Sequence, residues 1–283
     1  AAIGEAVVEK SGVLNLGVEG MMITGAVIGF IFAVNTEIPI YGFICAAIAG
    51  ALLSVLFAVL TQYIMSNQVA TGLGLTMVGL GLSALIGKPY EGIRSPTLSK
   101  IEIPILSDIP ILGPMIFSHD AIVYFSIILV GTVAFVISKT RVGLVLRAVG
   151  ENQEAAHALG YKVVRIRFLA IMFGGATAGI GGAYISLARV PQWTEGMTAG
   201  AGWIALALVV FASWKPWRVL LGAYLFGGIT VLQLNLQAIG VAIPVEILSM
   251  SPYLVTIVVL VGISLFGHHT APGSLARPFH ASQ

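Results

Sequence analysis

Long apolar runs separated by short polar segments dominate the chain. They lack the alternation of membrane β-strands, and a run such as ICAAIAGALLSVLFAVL suits only a helix. Crossing a bilayer takes about 20 apolar residues in helical form. The pattern therefore predicts an all-α polytopic transmembrane bundle with about eight spans, over residues 20–36, 40–65, 68–87, 119–138, 166–188, 200–213, 218–240 and 251–267.

The run at 200–213 is shorter than the others, so we expect a tilted, broken or re-entrant helix there. Residues 1–267 are predicted to form one transmembrane domain, followed by a disordered tail over 268–283. The tail begins with His268 and His269. Two adjacent histidines without a third ligand nearby do not indicate a metal site, so we predict none.

Composition supports a membrane protein. Hydrophobic residues make up 58 % of the chain and charged residues 9 %, with a mean hydropathy of +0.99. Soluble domains contain about 25 % charged residues, so this chain has too few charges to cover a solvated surface. The net charge of only +2 argues against a nucleic-acid partner.

Basic residues are concentrated in the segment 139–167, which holds six of the 14 lysines and arginines. Cytoplasmic loops of membrane proteins carry such an excess, so we place this segment in the cytoplasm. Alternation of the later spans then predicts that the C-terminal tail is also cytoplasmic.

The same loop contains a short predicted helix, QEAAHAL, over 153–159. Asn152 is a favourable N-cap and Gly160 a favourable C-terminal stop. Spacings of three and four predict that Ala155, Ala156 and Leu159 share one small apolar face. Such a face suits docking of another protein; the alternative is an amphipathic turn held at the membrane surface by anionic lipid.

Two sequence blocks carry a family resemblance. Glu154-Ala155-Ala156 followed by Gly160 resembles the EAA…G signature of ATP-binding cassette (ABC) importer permeases, without its later Ile-x-Leu-Pro portion. The stretches GLVLRAVGENQEAAHALG and EKSGVLNLGVEGMMITGA resemble the branched-chain amino acid/ribose-type permease family, in particular its nucleoside and simple-sugar subgroup. Members usually carry a further apolar helix before the second block, whereas only AAIGEAVV precedes that block here. Either the chain is truncated or that helix is missing, which leaves the span count open by one.

The resemblance implies a permease subunit in a bacterial-type plasma (inner) membrane, without an ATPase site or cofactor of its own. An ATP-binding subunit, which carries ATP and Mg, would dock on the coupling loop at Glu151, Asn152, Glu154, Ala155, Ala156, Leu159 and Gly160. A second permease, like or unlike, would complete the pathway, and an extracytoplasmic binding protein would deliver the solute. The expected solute is a nucleoside, with a simple sugar second.

Glu19 and Asn15 are the first candidate pair for the solute pathway. Glu19 lies among apolar residues, where a buried carboxylate is costly and indicates a function. The four-residue spacing predicts that both share a helical face, in a region that Gly12, Gly17 and Gly20 could bend. The alternative is that Glu19 hydrogen-bonds neighbouring backbone and locks the fold.

Gln233, Asn235 and Gln237 form the second candidate group, because amides both donate to and accept from a neutral polar solute. Hydrogen bonding between helices is the alternative. The four tryptophans are predicted to lie at the membrane interface, with a stacking surface for the solute as the alternative. They are Trp193, Trp203, Trp214 and Trp217.

Small residues at spacings of four in GGATAGIGGA, over 174–183, predict a helix-packing face, used either between subunits or within one. An ion-gradient-driven secondary transporter is the alternative function. It would need ionisable residues in mid-membrane, and only Glu19 and Glu246 are candidates.

Overall fold

A computed structural model describes residues 1–102, 118–240, 243–266 and 271–280. Its helices are α1 Ala2–Lys10, α2 Val18–Thr36, α3 Pro39–Ala58, α4 Gln68–Gly87, α5 Ala121–Lys139, α6 Arg141–Glu151, α7 Gln153–Ala158, α8 Val163–Tyr184, α9 Ala201–Phe211, α10 Pro216–Ala238 and α11 Val245–Phe266. π-helical turns extend α3 through Val59–Tyr63 and α8 through Ile185–Arg189, and a 3₁₀ turn, Lys88–Tyr90, follows α4.

The helical bundle predicted from the apolar runs is confirmed, but the count of about eight spans is not: among the described residues, six helices have the length and composition of a membrane span. They are α2, α3 with its π turn, α4 with its 3₁₀ turn, α5, α8 with its π turn, and α10. The run at 200–213 forms the 11-residue helix α9. At a rise of about 1.5 Å per residue, α9 reaches only about half of the hydrocarbon thickness.

The centre of the bundle is formed by α2, α3 and α8, which pack closely against one another. A Cβ on Gly25 would lie 2.4 Å from the Gly179 Cα, and one on Gly175 would lie 2.5 Å from the Gly50 carbonyl oxygen. The backbones approach this closely only because these positions carry no side chain. The predicted packing face at 174–183 therefore serves contacts within one chain.

Helix α1 was not predicted as a separate element. It packs against α8, where a Cβ on Gly4 would overlap the Thr177 side chain. The segment has only nine residues, too few for a span, and two of them are glutamates. Glu5 and Glu9 are nevertheless both fully buried. Helix α1 is therefore a short inner helix of the bundle.

A two-stranded antiparallel ribbon precedes α5. Strand β1, Lys100–Glu102, pairs with β2, Ser118–Asp120, with Lys100 opposite Asp120. The Asp120 carboxylate then caps α5 by accepting from the main-chain nitrogens of Ile122 and Val123. Among the described residues, this ribbon is the exception to an otherwise helical fold.

The C-terminal segment 271–280 differs from the expected disordered tail. Ser274 and Phe279 are buried, and the main-chain nitrogen of Ser274 donates to the Gly150 carbonyl oxygen at 2.8 Å. These contacts compensate for the entropy lost on ordering the segment. His268 and His269 lie outside the described residues.

Candidate functional site

The turn between α1 and α2 determines where the first candidate pair lies. Helix α2 begins at Val18, so Asn15 lies in the preceding turn and not on the helix. The Asn15 side-chain oxygen accepts from the Gly17 nitrogen at 3.0 Å, and its amide nitrogen contacts the Met21 sulfur at 3.4 Å. The predicted shared helical face of Asn15 and Glu19 is therefore wrong, because the local amide contacts stabilise a turn.

Glu19 caps the N-terminus of the short helix α9. Its Oε1 accepts from the Thr198 hydroxyl at 2.6 Å and the Gly200 nitrogen at 2.9 Å, and its Oε2 accepts from the Gly202 nitrogen at 2.6 Å. A carboxylate is favourable here because the first N–H groups of a helix lack partners within it and carry the positive end of its dipole. The geometry supports the alternative in which Glu19 bonds to backbone groups and locks the fold.

The junction of α2, α4 and α9 around Glu19 is tightly packed. A Cβ on Gly202 would lie 2.5 Å from the Glu19 Cα, and one on Gly20 would lie 2.6 Å from the Leu75 carbonyl oxygen. The Thr76 hydroxyl lies within hydrogen-bond distance, 3.2 Å, of the Leu16 carbonyl oxygen. We call this region, residues 15–20, 72–76 and 198–203, the half-helix junction.

A groove opens at the edge of the half-helix junction. It has a volume of about 330 Å³ and is lined by Leu16, Leu73, Trp203 and Leu206. The Trp203 indole is 42 % exposed, and its nitrogen donates to the Leu16 carbonyl oxygen at 3.4 Å. This bond fixes one edge of the ring and leaves an aromatic surface facing the groove.

Two of the four tryptophans do not fit the predicted interfacial position. Trp193 is buried and donates to the Ser83 hydroxyl at 3.2 Å, and Trp214 is buried and donates to the Glu9 carboxylate. Both indoles bring a polar N–H into the core, where it must find an acceptor. Trp203 and Trp217 remain exposed.

Glu5 and Glu9 are buried carboxylates that the sequence analysis missed. Glu5 accepts from the Asn15 main-chain nitrogen at 3.3 Å, and Glu9 accepts from Trp214. One oxygen of each has no hydrogen-bond partner among the described residues. Their four-residue spacing within an apolar stretch was the signal that could have indicated a common buried face.

The second candidate group lies on α10, away from these contacts. The Gln233 amide donates to the Ser249 hydroxyl of α11 at 3.4 Å, and the Asn235 amide donates to the Val231 carbonyl oxygen of its own helix. Gln237 is half-buried on the same helix. In the described part of the chain, no hydrogen bond joins this group to Glu19, and the Gln233 bond supports interhelical contact.

The coupling loop contains the predicted short helix, with both predicted caps. The Asn152 side-chain oxygen accepts from the Ala155 nitrogen at 2.9 Å. Gly160 has a φ of +87°, and the Tyr161 nitrogen donates to the Ala156 carbonyl oxygen at 3.1 Å. This Gly-terminated arrangement satisfies carbonyls that a helix end otherwise leaves without partners.

The predicted apolar face of α7 is divided in the structure. Ala156 is buried, whereas Ala155 and Leu159 are exposed, Leu159 to 75 %. The prediction of one shared face is wrong because Ala156 packs against Val149 and Phe279. Only the outer side of the predicted helix is therefore free to dock another protein. It carries Glu154, Ala155 and Leu159, and Glu151, Asn152 and Gly160 are exposed beside it.

Positive charges from separate segments converge beside this loop. Burial is the largest cause that lowers the pKa of Lys10. The positive charges of Arg147 and Lys215 lower this pKa further, whereas the negative charge of Glu151 raises it. Arg167, counted in the basic loop, is instead fully buried. Lys10, Arg147 and Lys215 thus form a group of positive charges at this end of the bundle, whereas Arg167 lies inside it.

The six apolar helices of the described residues are those of a multi-pass membrane protein. The chain matches the model of the family described as the branched-chain amino acid transport system / permease component, over residues 1–263. The chain belongs to this family. No solved structure matches the chain.

Three relatives share most of their length with this chain. TsgC13 of Haloferax volcanii, provisionally named as a glucose ABC transporter permease, is 39 % identical over 92 % of this chain and 86 % of its own. The guanosine ABC transporter permease NupQ of Bacillus subtilis is 33 % identical over 98 % and 91 %. The nucleoside ABC transporter permease NupC of Lactococcus lactis is 32 % identical over 92 % and 86 %.

Two of these organisms also have a second matching permease with a related name. TsgB13 of Haloferax volcanii is 26 % identical over 77 % of this chain and 61 % of its own length. NupP of Bacillus subtilis is 25 % identical over 95 % and 78 %. In each organism the chain is more similar to one permease of the pair than to the other. With the family match, these relatives identify a permease subunit of an ABC transporter.

Proposed function

We propose that the chain is one of two unlike permease subunits of an ABC importer, and that it carries a nucleoside, or second a simple sugar, across a bacterial-type plasma membrane. The observation that carries this proposal is the capped helix α7, whose outer side is exposed beside the basic end of the bundle. An ATP-binding subunit, holding ATP and Mg, docks there and supplies the energy; this chain itself binds no cofactor.

The pairing of permeases supports a heterodimeric pathway. The chain is 33 % identical to NupQ but 25 % identical to NupP, and 39 % identical to TsgC13 but 26 % identical to TsgB13. The second subunit is therefore a permease of the NupP and TsgB13 type. An extracytoplasmic binding protein presents the solute at the opposite end of the bundle from α7.

The solute pathway passes the groove at the half-helix junction. Its lining residues Leu16, Leu73, Trp203 and Leu206 carry no charge, which suits a neutral solute. An exposed indole offers a stacking surface for a purine or pyrimidine ring and for the apolar face of a sugar. Glu19 holds the adjacent helix end in place, and Gln233 and Gln237 link α10 to its neighbours or complete the pathway.

The loop and the tail lie on the same side of the bundle, since Ser274 bonds to Gly150. The basic residues beside them, including Lys10, Arg147 and Lys215, support a cytoplasmic position for that side. In the proposed orientation, a cytoplasmic ATPase can reach α7.

The test is solute uptake by the purified complex in proteoliposomes. We expect ATP-dependent uptake of labelled guanosine, with glucose as the second solute and leucine as the matched negative control. Uptake of leucine alone would contradict the proposed solute class. Uptake that requires an ion gradient and no ATP would contradict the ABC mechanism and support a secondary transporter.

A further inference from the structure

The coupling helix α7 is too short to be stable by itself. It has six residues, whereas isolated helices shorter than about 12 residues are marginal in water. Its inward side consists of Gln153 and Ala156, the two buried residues of the helix. Whatever covers these two residues therefore determines where α7 is held.

Residues 271–280 cover that inward side. The Ser274 hydroxyl accepts from the Gln153 main-chain nitrogen at 3.1 Å, and the Gln153 side-chain amide donates to the Pro278 carbonyl oxygen at 3.0 Å. Phe279 is 6 % exposed and packs against Ala156. Its ring also meets the His157 ring edge-on, with centroids 5.2 Å apart.

The fit between this segment and the coupling loop is close at its other end. A Cβ on Gly273 would lie 2.6 Å from the Glu151 carbonyl oxygen. No real Cβ approaches a backbone oxygen so closely, so a larger residue at 273 must displace the segment. By contrast, Ala271 is exposed.

Arg167 joins this segment to the membrane bundle. Its side chain is fully buried, and Nε donates to the Ser11 carbonyl oxygen at 3.1 Å. Its two terminal nitrogens donate to the carbonyl oxygens of Arg277 at 3.1 Å and Ser274 at 3.5 Å. Because the rigid guanidinium fork holds several acceptors at fixed angles, Arg167 fixes the segment relative to the C-terminal end of α1.

We propose that residues 271–280 form a strap that holds the coupling helix rigidly against the bundle, with Arg167 as its positioning residue. The strap rests on the proposed docking function of α7. A push from the ATP-binding subunit on α7 is passed through the strap and Arg167 to Ser11, and so to the turn that leads into α2. Without the strap, α7 is held to the bundle only through its connections to α6 and α8, and the push is lost.

The strap itself is tested by thiol labelling, which does not depend on transport. In a Cys45→Ser background, Ala156→Cys places a thiol at a position that is 2 % exposed, whereas Ala158→Cys is an exposed reference. Adding Gly273→Val should raise maleimide labelling at 156 by at least about tenfold, equivalent to about 1.4 kcal/mol lost from the docked state. The matched control Ala271→Val should leave it unchanged. Equal protection of position 156 in both variants would overturn the strap.

The coupling role is tested by the ratio of solute transported to ATP hydrolysed in the reconstituted complex. Phe279→Ala and Arg167→Gln should lower this ratio severalfold while the ATP-binding subunit still copurifies. Arg277→Ala is the matched control for Arg167→Gln. Arg167 bonds to the main-chain oxygen of Arg277, which the alanine variant retains. A normal ratio despite an exposed residue 156 would overturn the coupling role. If no ATP-binding subunit copurified with the wild-type chain, the proposed function itself would be contradicted.

Discussion

The Oε2 atom of Glu19 accepts a hydrogen bond from the Gly202 main-chain nitrogen at 2.6 Å, across 183 positions of sequence. This contact connects the start of α2 to the first turn of the half-length helix α9. Helix ends within a membrane are tolerated where protein groups satisfy them. The Glu19 carboxylate accepts directly from the N–H groups at the start of α9, so the junction is part of the fixed framework beside the groove.

Replacing Glu19 tests the cap. Glu19→Gln replaces one acceptor oxygen with an amide donor, which then faces the N–H groups of α9. We expect a loss of about 1–3 kcal/mol of stability, the cost of a buried polar group without a partner, seen as a lower melting temperature in detergent. Thr198→Val removes one of the three donors and should have a smaller effect. Equal stability of Glu19→Gln and the wild type would contradict the capping role.

Gly202 provides an independent test of the same junction. Alanine in a helix is normally more stable than glycine by about 1 kcal/mol. At Gly202 the added Cβ would lie 2.5 Å from the Glu19 Cα, so Gly202→Ala should destabilise the protein. Gly74→Ala on α4 is the matched control, because its Cβ would meet nothing within 4 Å. Melting temperatures should move in opposite directions for the two variants; a rise in both would show that the junction is loose.

Gly160 tests the geometry of the coupling helix. Its φ is +87°, a conformation that costs a residue with a side chain about 1–2 kcal/mol, although a Cβ there would meet no neighbouring atom. Gly160→Val should reduce ATP-driven transport while the chain remains folded in the membrane. Gly160→Asn is the control, since asparagine tolerates this conformation. Transport that is equal in the valine and asparagine variants would exclude a role for this helix end.

Glu154 tests the charge on the docking side of α7. It is exposed in the first helical turn, where a negative charge is favourable. Glu154→Lys should uncouple transport from ATP hydrolysis without unfolding the protein, and Glu154→Gln should be milder. Unchanged transport in the lysine variant would show that the ATP-binding subunit docks elsewhere.

Trp203 tests the solute pathway. Stacking of a base on an aromatic ring contributes about 1–3 kcal/mol, so Trp203→Ala should raise the KM for guanosine by about tenfold or more. Trp203→Phe keeps an aromatic surface, so its KM for guanosine should lie between those of the wild type and Trp203→Ala. Trp217, also exposed but outside the groove lining, gives the control variant Trp217→Ala. A KM that changes equally in both alanine variants would point to general disturbance of the bundle.

The sequence predicted the parts of the fold that depend on local patterns. Apolar runs located the long helices, and Asn152 and Gly160 marked both ends of α7, because caps depend on neighbouring residues. Helix α1 escaped prediction because its two glutamates are buried only through contacts made far along the chain, such as that of Glu9 with Trp214.

The same limit applies to the candidate site. Glu19 was identified as buried from its apolar surroundings, but its three donors come from residues 198–202, which no local pattern connects to it. Arg167 resembled a solvated loop charge because its acceptors, at 11, 274 and 277, are more than 100 residues away. The burial of Ala156 could not be predicted either, because Phe279, which covers it, lies far along the chain.

The outer side of α7 is the proposed binding surface for the ATP-binding subunit. The most direct measurement is the amount of that subunit that copurifies with this chain in mild detergent, for the wild type and for Leu159→Asp. Leu159 is 75 % exposed, so the substitution should leave the fold intact. We expect near-stoichiometric recovery with the wild type and at least about a tenfold loss with the variant, as removal of a central apolar contact predicts. Equal recovery with both chains, or no ATP-binding subunit with the wild type, would contradict the account.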